Sequence, residues 1–304
     1  MMKIKDAIRE FVLNRFGISA KFAEVLEEID SLHYFLNEFV DITNIPPTKN
    51  AQLRILQETD ALLLAIFHKL CDRYGISYWL DFGTLLGSIR HKGFVPWDDD
   101  MDVSMLRDDC NKILEIFPPL LKKYNLCLYT EIDRLCFHYR HFETGIWLDV
   151  FPFDQYNMTS YDEDTQYILS NKINEYHKYF MEYLASAPNM SLEKLSILKN
   201  KIVGDGEGDV IVYWHPVFYK YYYFNRNDIF PLKQSKFEER IFNIPNNYEH
   251  ILKTYYGNYL TFPKRGILHH GESSGRSPLH EWANLHGVNM ENVKEELLSI
   301  YEKI

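Results

Sequence analysis

Four aspartates lie within five residues, Asp98, Asp99, Asp100 and Asp102, and the segment Met101–Leu106 that overlaps them reads as a strand. In extended backbone successive side chains alternate faces, so Asp100 and Asp102 point one way while Met101 and Val103 point the other. Two carboxylates held side by side repel each other unless something shares their charge. A divalent cation with oxygen ligands does so, and Mg²⁺ or Mn²⁺ is the usual choice where phosphate is handled. The fold must therefore present one strand at an end that is partly enclosed, as Trp97 and the apolar strand residues require, yet open to an ion and its ligand. An isolated Asp-x-Asp is more often a solvated acidic turn. An EF-hand loop starting at Asp98 would need Gly at its sixth position and Glu at its twelfth, and Val103 and Asp109 stand there. That reading is rejected.

The residues upstream extend the pattern. Gly87-Ser88 precedes Asp100 by a dozen residues in a segment, Thr84–Arg90, expected to be a short helix. Glycine lets backbone approach a ligand, helix-start N–H groups bind phosphate oxygens, and Ser88 can add a hydroxyl. Arg90 and Lys92 bring compensating positive charge. Phosphate donors opposite a metal pair are the layout of phosphoryl-type transfer. Downstream, Asp149 sits between Leu148 and Val150, and a carboxylate in an apolar run is costly to bury unless paired or metal-bound. It is the expected third carboxylate, as metal ligand or general base. Asp154, beyond Pro152, is expected to cap the next helix.

Gly83-Thr-Leu-Leu-Gly-Ser-Ile-Arg90 followed by Gly93-Phe-Val-Pro-Trp-Asp-Asp-Asp-Met-Asp102 resembles the signature of the LicD family, the phosphocholine-transferase and fukutin-related group of the nucleotidyltransferase-fold superfamily. Leu148–Pro152 resembles its second block, and Ile229-Phe-Pro231, Phe237-Glu238, Ile244-Pro245 and Tyr256-Gly257 its weaker C-terminal pattern. The resemblance covers Leu53 to Phe262. It implies an α+β fold with a nucleotidyltransferase-like mixed sheet flanked by helices, and an enzyme moving a phosphorylated alcohol, most often phosphocholine from CDP-choline, onto a hydroxyl of a cell-surface glycan. The alternative that the resemblance leaves open is another CDP-alcohol donor, such as CDP-glycerol or CDP-ribitol. Carried across residue by residue, Asp100, Asp102 and Asp149 are the catalytic and metal-binding carboxylates. Gly87 and Ser88 match the phosphate-binding turn and Arg90 the Arg after it; with Lys92 and Asp98, added for their charge, they are the expected substrate-binding set, and Mg²⁺ or Mn²⁺ is the expected cofactor.

Composition narrows the alternatives. The chain has 304 residues and a formal charge of −10, which argues against gripping nucleic acid through its phosphates. Apolar residues at 46% and charged residues at 25% exclude wholesale disorder. Cys71, Cys110, Cys127 and Cys136 have neither CxxC spacing nor the density of a disulfide framework. No apolar leader follows the charged N-terminal residues, and no long uncharged apolar run occurs. The expectation is a cytoplasmic protein, working at the inner face of the membrane if its acceptor is a lipid-linked glycan.

Three regions are expected: a helical extension over 1–50, with helices at Lys3–Phe16 and Ala20–Phe39; a catalytic core over 51–160; and a helical, aromatic-rich region over 161–304 that completes the substrate cleft. A helix from Leu53 to Tyr74 is predicted by apolar residues spaced three, four and seven apart, with Gly75 stopping it. Strands are expected at Ile76–Phe82, Leu126–Thr130, Leu135–Arg140 and Trp147–Phe153, the last ending at Pro152, and helices at Asp109–Tyr124, interrupted or ended near Pro118-Pro119, and at Asp162–Ala187. Tyr219–Phe224 reads as either strand or helix, and as core or as a cage for a quaternary ammonium. His269-His270 is a poor metal pair, since neighbours on a strand face opposite ways. His91 beside the phosphate segment touches substrate or solvent. Nucleotidyl transfer, and a non-catalytic glycan- or nucleotide-binding scaffold, remain the competing functions.

Overall fold

The computed structural model describes residues 20–130, 134–140, 145–158, 163–186, 204, 206, 208–215, 220–263 and 278–304. The expected helix Lys3–Phe16 and the pair His269-His270 lie outside them. The chain divides into two compact units, Met1–Ile45 with Asn258–Ile267, and Pro46–Gly257 with Leu268–Ile304. In the first, helix α1 (Ala20–Phe39) is joined to Phe262, whose N–H donates to Asn37 Oδ1 at 2.7 Å and whose carbonyl lies 2.9 Å from His33 Nε2.

The second unit is a mixed sheet with helices. Helix α2 (Ala51–Arg73) starts at Asn50, whose side chain accepts from Gln52 N–H and Leu53 N–H, and buries Leu53, Leu56, Leu63, Leu64, Phe67 and Leu70. Its apolar spacing was legible, and Gly75 in the left-handed region ends it. The expected strand Ile76–Phe82 shrinks to β1 (Trp79–Leu80), because Asp81 caps helix α3 (Phe82–Arg90). Strand β2 (Asp102–Leu106) leads into helix α4 (Arg107–Leu121), then β3 (Leu126–Thr130), β4 (Leu135–Tyr139) and β5 (Trp147–Tyr156). Helix α5 (Glu163–Ser186) is followed by β6 (Val210–His215) and β7 (Lys220–Asn225), so the Tyr-rich segment is a strand. A short helix α6 (Arg226–Ile229), a hairpin of β8 (Lys233–Phe237) and β9 (Arg240–Ile244), and helices α7 (Tyr248–Tyr256), α8 (Pro278–His286) and α9 (Met290–Lys303) complete it.

The sheet order is β1-β2-β5-β4-β3, with β6 and β7 added through β5. β2 and β5 run parallel, and the other pairs are antiparallel. This is the mixed sheet of an α+β protein. A boundary at 160 would cut it, since β6 continues the sheet from Asp154 to Tyr156. Pro152 does not end β5 as expected. It falls between residues 147–150, paired with β4, and 154–156, paired with β6, where the ladder changes neighbour and a missing N–H matters least.

One face of the sheet is the core. Val103, Val150 and Leu135 lie in register and are buried, as are Leu148 and Phe137, and Phe67 of α2 and Phe117 of α4 close on this side. Alternation sends Asp102, Asp149, Trp147, Cys136 and His138 to the other face. Asp154 is not a helix cap. It is fully buried and accepts two hydrogen bonds from Arg107, at 3.0 and 2.7 Å, a bidentate ion pair inside the fold.

Candidate active site

The carboxylates gather where parallel β2 and β5 begin. Asp102 and Asp149 are register partners, and the Asp149 N–H donates to the Met101 carbonyl at 2.9 Å. The preceding loop is pinned from three sides. Gln57 Nε2 donates to the Asp98 carbonyl at 2.8 Å, Asp98 N–H closes a turn on the Val95 carbonyl at 2.9 Å, and Asp102 N–H donates to Thr84 Oγ1 at 2.8 Å. Arg54 grips Glu238 with two bonds, 3.1 and 2.7 Å, while Glu238 takes the Phe94 N–H at 3.3 Å and gives its own N–H to the Lys92 carbonyl at 2.8 Å. The β8–β9 hairpin thus holds the segment that delivers the aspartates.

The crowding shows in the proton affinities. Asp98 is raised well above the ordinary carboxylate range by burial first, then by Asp100 and Asp99. Burial likewise raises Asp102, with Asp100, Asp149, Asp98 and Asp81 adding to it. Asp81 is pushed up to about 6 by burial, against hydrogen bonds from Ser104, Phe82 N–H, Trp79 and Tyr255. The Tyr256 hydroxyl is raised well above its usual value by desolvation around its oxygen, then by Asp102, Asp98, Asp81 and Asp100, although the residue as a whole is exposed.

An all-oxygen set of this charge suits a hard divalent cation. Among the described residues, however, no group of three or more His, Cys, Asp or Glu side chains stands arranged to hold a metal ion. One reason lies in Asp149, whose Oδ1 accepts from Arg134 Nε at 3.0 Å and Cys136 Sγ at 3.2 Å. Asp100 and Asp102 have oxygen chemistry suited to such an ion, while Asp149 is engaged by Arg134.

The expected phosphate turn is corrected. Helix α3 begins at Phe82, so Gly87 and Ser88 lie inside it, a turn beyond its free N–H groups. Ser88 is fully buried, its hydroxyl facing Ser235 Oγ at 2.8 Å and the Lys236 carbonyl at 3.0 Å. It anchors the hairpin. Gly87 is needed for packing: a Cβ there would stand 2.4 Å from the Gly93 carbonyl oxygen. The glycine at the acids is Gly83, where a Cβ would meet Asp98 Oδ2 at 2.6 Å and Asp102 Oδ2 at 4.0 Å. Helix-start N–H groups and close approach therefore belong to Gly83-Thr84, inside the quoted motif and four residues earlier than the spacing suggested.

Arg90 is buried, pairs its Nε with His91 Nε2 at 2.9 Å and lies 5.9 Å from the Trp97 ring centre. Burial lowers it to about 10, with Tyr256 and Asp98 pulling the other way, which puts its charge on the acid side of α3. Lys92 is exposed, and its ammonium sits on the Ile89 carbonyl at 3.3 Å, closing the helix end rather than facing the aspartates. His91, half-buried, is an acceptor for Arg90.

Several site residues were not anticipated. Arg134 beside Asp149 falls in a polar stretch without a motif. Phe82 holds a left-handed φ of 41°, stacked on Tyr255 at 4.8 Å and edge-on to Phe151 and Tyr213. With Tyr222, whose ring meets Tyr255 at 4.8 Å, these rings form an aromatic wall beside the acids. A non-glycine residue held at positive φ next to ionisable groups is a mark of a functional site.

Residues 75–194 match the family model described as LicD/FKTN/FKRP, nucleotidyltransferase domain. The lipopolysaccharide cholinephosphotransferase LicD of Haemophilus influenzae is 48% identical over 79 residues, 26% of this chain and 30% of that protein. The ribitol 5-phosphate transferase FKRP of Homo sapiens is 37% identical over 57 residues, 19% of this chain and 11% of that protein. An uncharacterised protein of Rickettsia prowazekii, RP689, is 34% identical over 80 residues, 23% and 30% of the two chains. The chain spans less than a third of the length of these relatives. No helix among the described residues is long and apolar enough to cross a membrane.

Proposed function

We propose that this LicD-family domain makes the chain a transferase that moves a phosphorylated alcohol from a CDP-linked donor to a glycan hydroxyl, with phosphocholine from CDP-choline the favoured group. The observation that carries the reading is the convergence of Asp98, Asp100, Asp102 and Asp149 at the starts of two parallel strands, beside Gly83 and the first turn of α3. The matched relatives named as cholinephosphotransferase and ribitol 5-phosphate transferase support the class of group moved, and the lipopolysaccharide of the first supports a glycan acceptor.

The acceptor oxygen attacks the phosphorus bearing the alcohol. The bond from that phosphorus to the CMP oxygen breaks, CMP leaves with the electron pair, and the hydroxyl proton passes to Asp149. The donor phosphates rest against Gly83-Thr84, with Arg90 and Arg134 supplying positive charge. Mg²⁺ or Mn²⁺, held by Asp100 and Asp102 with Asp149, would neutralise charge on the diphosphate. Asp98, close to Gly83, shapes the phosphate side of the site. Thiols rather than disulfides at Cys71, Cys110, Cys127 and Cys136 support a reducing, cytoplasmic setting, at the inner membrane face where the acceptor is lipid-linked.

Calorimetry with CDP-choline, CDP-glycerol, CDP-ribitol, CTP and a UDP-sugar, in Mn²⁺ and then in EDTA, tests the proposal. Metal-dependent binding of one CDP-alcohol above CTP is expected. Preference for CTP points to nucleotidyl transfer, which the product mass would identify, and absence of nucleotide binding points to a scaffold. Asp100→Asn should lower transfer by about 100-fold or more with the fold intact. Full activity with unchanged metal dependence in that variant would remove Asp100 from the chemistry.

A further inference from the structure

The sheet face that carries the acids also carries a second aromatic group, on the side away from the Phe82 wall. Strand register sets out two rows. Asp102, Asp149, Cys136 and Tyr129 are successive partners across β2, β5, β4 and β3, and Trp147, His138 and Cys127 form the row beside them. Register partners share a face, and residues two apart on a strand share it too, so Trp147 stands next to Asp149, about 7 Å along β5. The rings are continuous: His138 lies 6.0 Å from Trp147 at 33° and 5.5 Å from Tyr129 edge-on. His138 is buried beneath, while Trp147 and Tyr129 are half-exposed.

The second row leads to a cavity. Cys127, its last member, lines a space of about 550 Å³ together with Lys122, Arg140, Trp282 and His286. Two strand spacings, about 10 Å, separate Cys127 from Trp147. Arg140 holds a left-handed φ of 49° there and lies 5.8 Å from the Trp282 ring centre.

We propose that Trp147 and Tyr129 are the platform on which the acceptor sugar stacks, and that the glycan runs from there across β4 to the Cys127–Trp282 cavity. Sugar rings present flat patches of C–H groups edged with hydroxyls, which match an amphipathic aromatic face with polar groups at its rim. The neighbouring carboxylate supplies the chemical reason: a sugar on Trp147 brings a hydroxyl within reach of Asp149. Extended geometry separates this occupant from the donor nucleoside. A single base covers one ring, whereas the stripe and the cavity together accept a chain. The Phe82 wall is the less suitable platform, since its rings are packed on one another and Tyr255 is bonded to Asp81.

The inference rests on the transferase reading for its acceptor, and its test separates the two. Saturation-transfer NMR is run with lactose, maltotriose and chitotriose against the wild type, Trp147→Ala and Trp147→Phe, with CDP-choline affinity measured in parallel. Saturable binding of at least one sugar by the wild type is expected, weakened about tenfold in W147A and largely restored in W147F, with CDP-choline affinity unchanged. His286→Ala, at an exposed helix end on the cavity, should weaken trisaccharide binding with an unchanged thermal midpoint, and it keeps the path testable if W147A folds poorly. No sugar binding by the wild type, equal binding by W147A, or equal trisaccharide binding by H286A overturns the proposal. A loss of CDP-choline affinity in W147A also overturns it, by assigning the ring to the donor base. Sugar binding without any CDP-alcohol binding by the wild type would leave the platform standing and fail the transferase reading instead.

Discussion

Two glycines one helical turn apart, Gly83 and Gly87, should respond to the same alanine substitution in opposite ways. At Gly87 the new Cβ stands 2.4 Å from the Gly93 carbonyl oxygen, 3.0 Å from Val95 N and 3.3 Å from the Phe94 carbonyl carbon. All three are backbone atoms, and ordinary contact begins at 3.4 Å, so the loop that leads to the aspartates must retreat by about 1 Å. Overpacking of this kind costs about 1–3 kcal/mol, and the gain in helix propensity from Gly to Ala returns up to about 1 kcal/mol. G87A should therefore lose about 1–2 kcal/mol, which is a thermal midpoint lower by roughly 2–8 °C for a domain of this size. At Gly83 the obstacle is Asp98 Oδ2 at 2.6 Å, the end of one side chain, which can swing aside. G83A should stay within about 1 kcal/mol of the wild type, the ordinary scale for a strain relieved by one rotamer. Its activity should fall about 100-fold, because a misplacement near 1 Å at a reacting site has that effect. Thermal unfolding and donor turnover, measured on both variants, check the pair. A G87A protein of unchanged stability, or a G83A protein of unchanged turnover, would refute the reasoning.

Ser88→Ala should cost about 1 kcal/mol for the lost bond to the β8–β9 hairpin and leave CDP-choline affinity unchanged; a weakened affinity in calorimetry would return Ser88 to the phosphate site. Arg54→Ala and Glu238→Ala, with the double variant, should show a coupling of about 1–2 kcal/mol in denaturant unfolding, as expected for a two-bond ion pair that also holds a backbone N–H; independent effects would mean that the clamp is not what holds the loop. His91 gives a pH dependence. Burial, helped by the neighbouring Arg90, lowers its imidazole to about 4 from an ordinary 6.5. The unfolded chain then takes up the proton first, so stability is complete above pH 6.5 and is lost as pH falls toward 4. With the ring only half-buried, solvent screening reduces the loss to on the order of 1–2 kcal/mol. His91→Gln should lack that share of the acid slope, and identical slopes in the two proteins would count against a neutral His91 accepting from Arg90.

Much of the molecule was legible because it is local. The apolar spacing of α2, the helices α1 and α5, and the strands around Leu128, Phe137 and Val150 depend on periodicities of 3.6 and 2 that the chain writes out residue by residue. The acids were legible as a cluster, but Asp98, Asp99 and Asp100 lie in the loop before β2, so the path of that loop, and not strand alternation, brings Asp100 near Asp102. What failed was reading a contact across the fold from distance along the chain. Gly87-Ser88 had the right residue types, but α3 begins at Phe82 rather than Thr84, and that shift exchanges Gly83 for Gly87 at the acids. Asp154 looked like a cap and is the buried partner of Arg107, 47 residues earlier. Pro152 looked like a strand end and sits where β5 changes neighbours. Arg134, 15 residues before the Asp149 it holds, carries no local signal, and Glu238, although part of the quoted C-terminal pattern, gives no hint of Arg54, 184 residues away. By itself the sequence determined that this chain folds as a helix-flanked sheet with an acidic strand start, because patterning and residue chemistry act over a few residues. Only the tertiary structure decided which glycine meets the carboxylates, which cation answers Asp149 and which rings share its face, because each depends on strand register and on surfaces meeting across tens of residues.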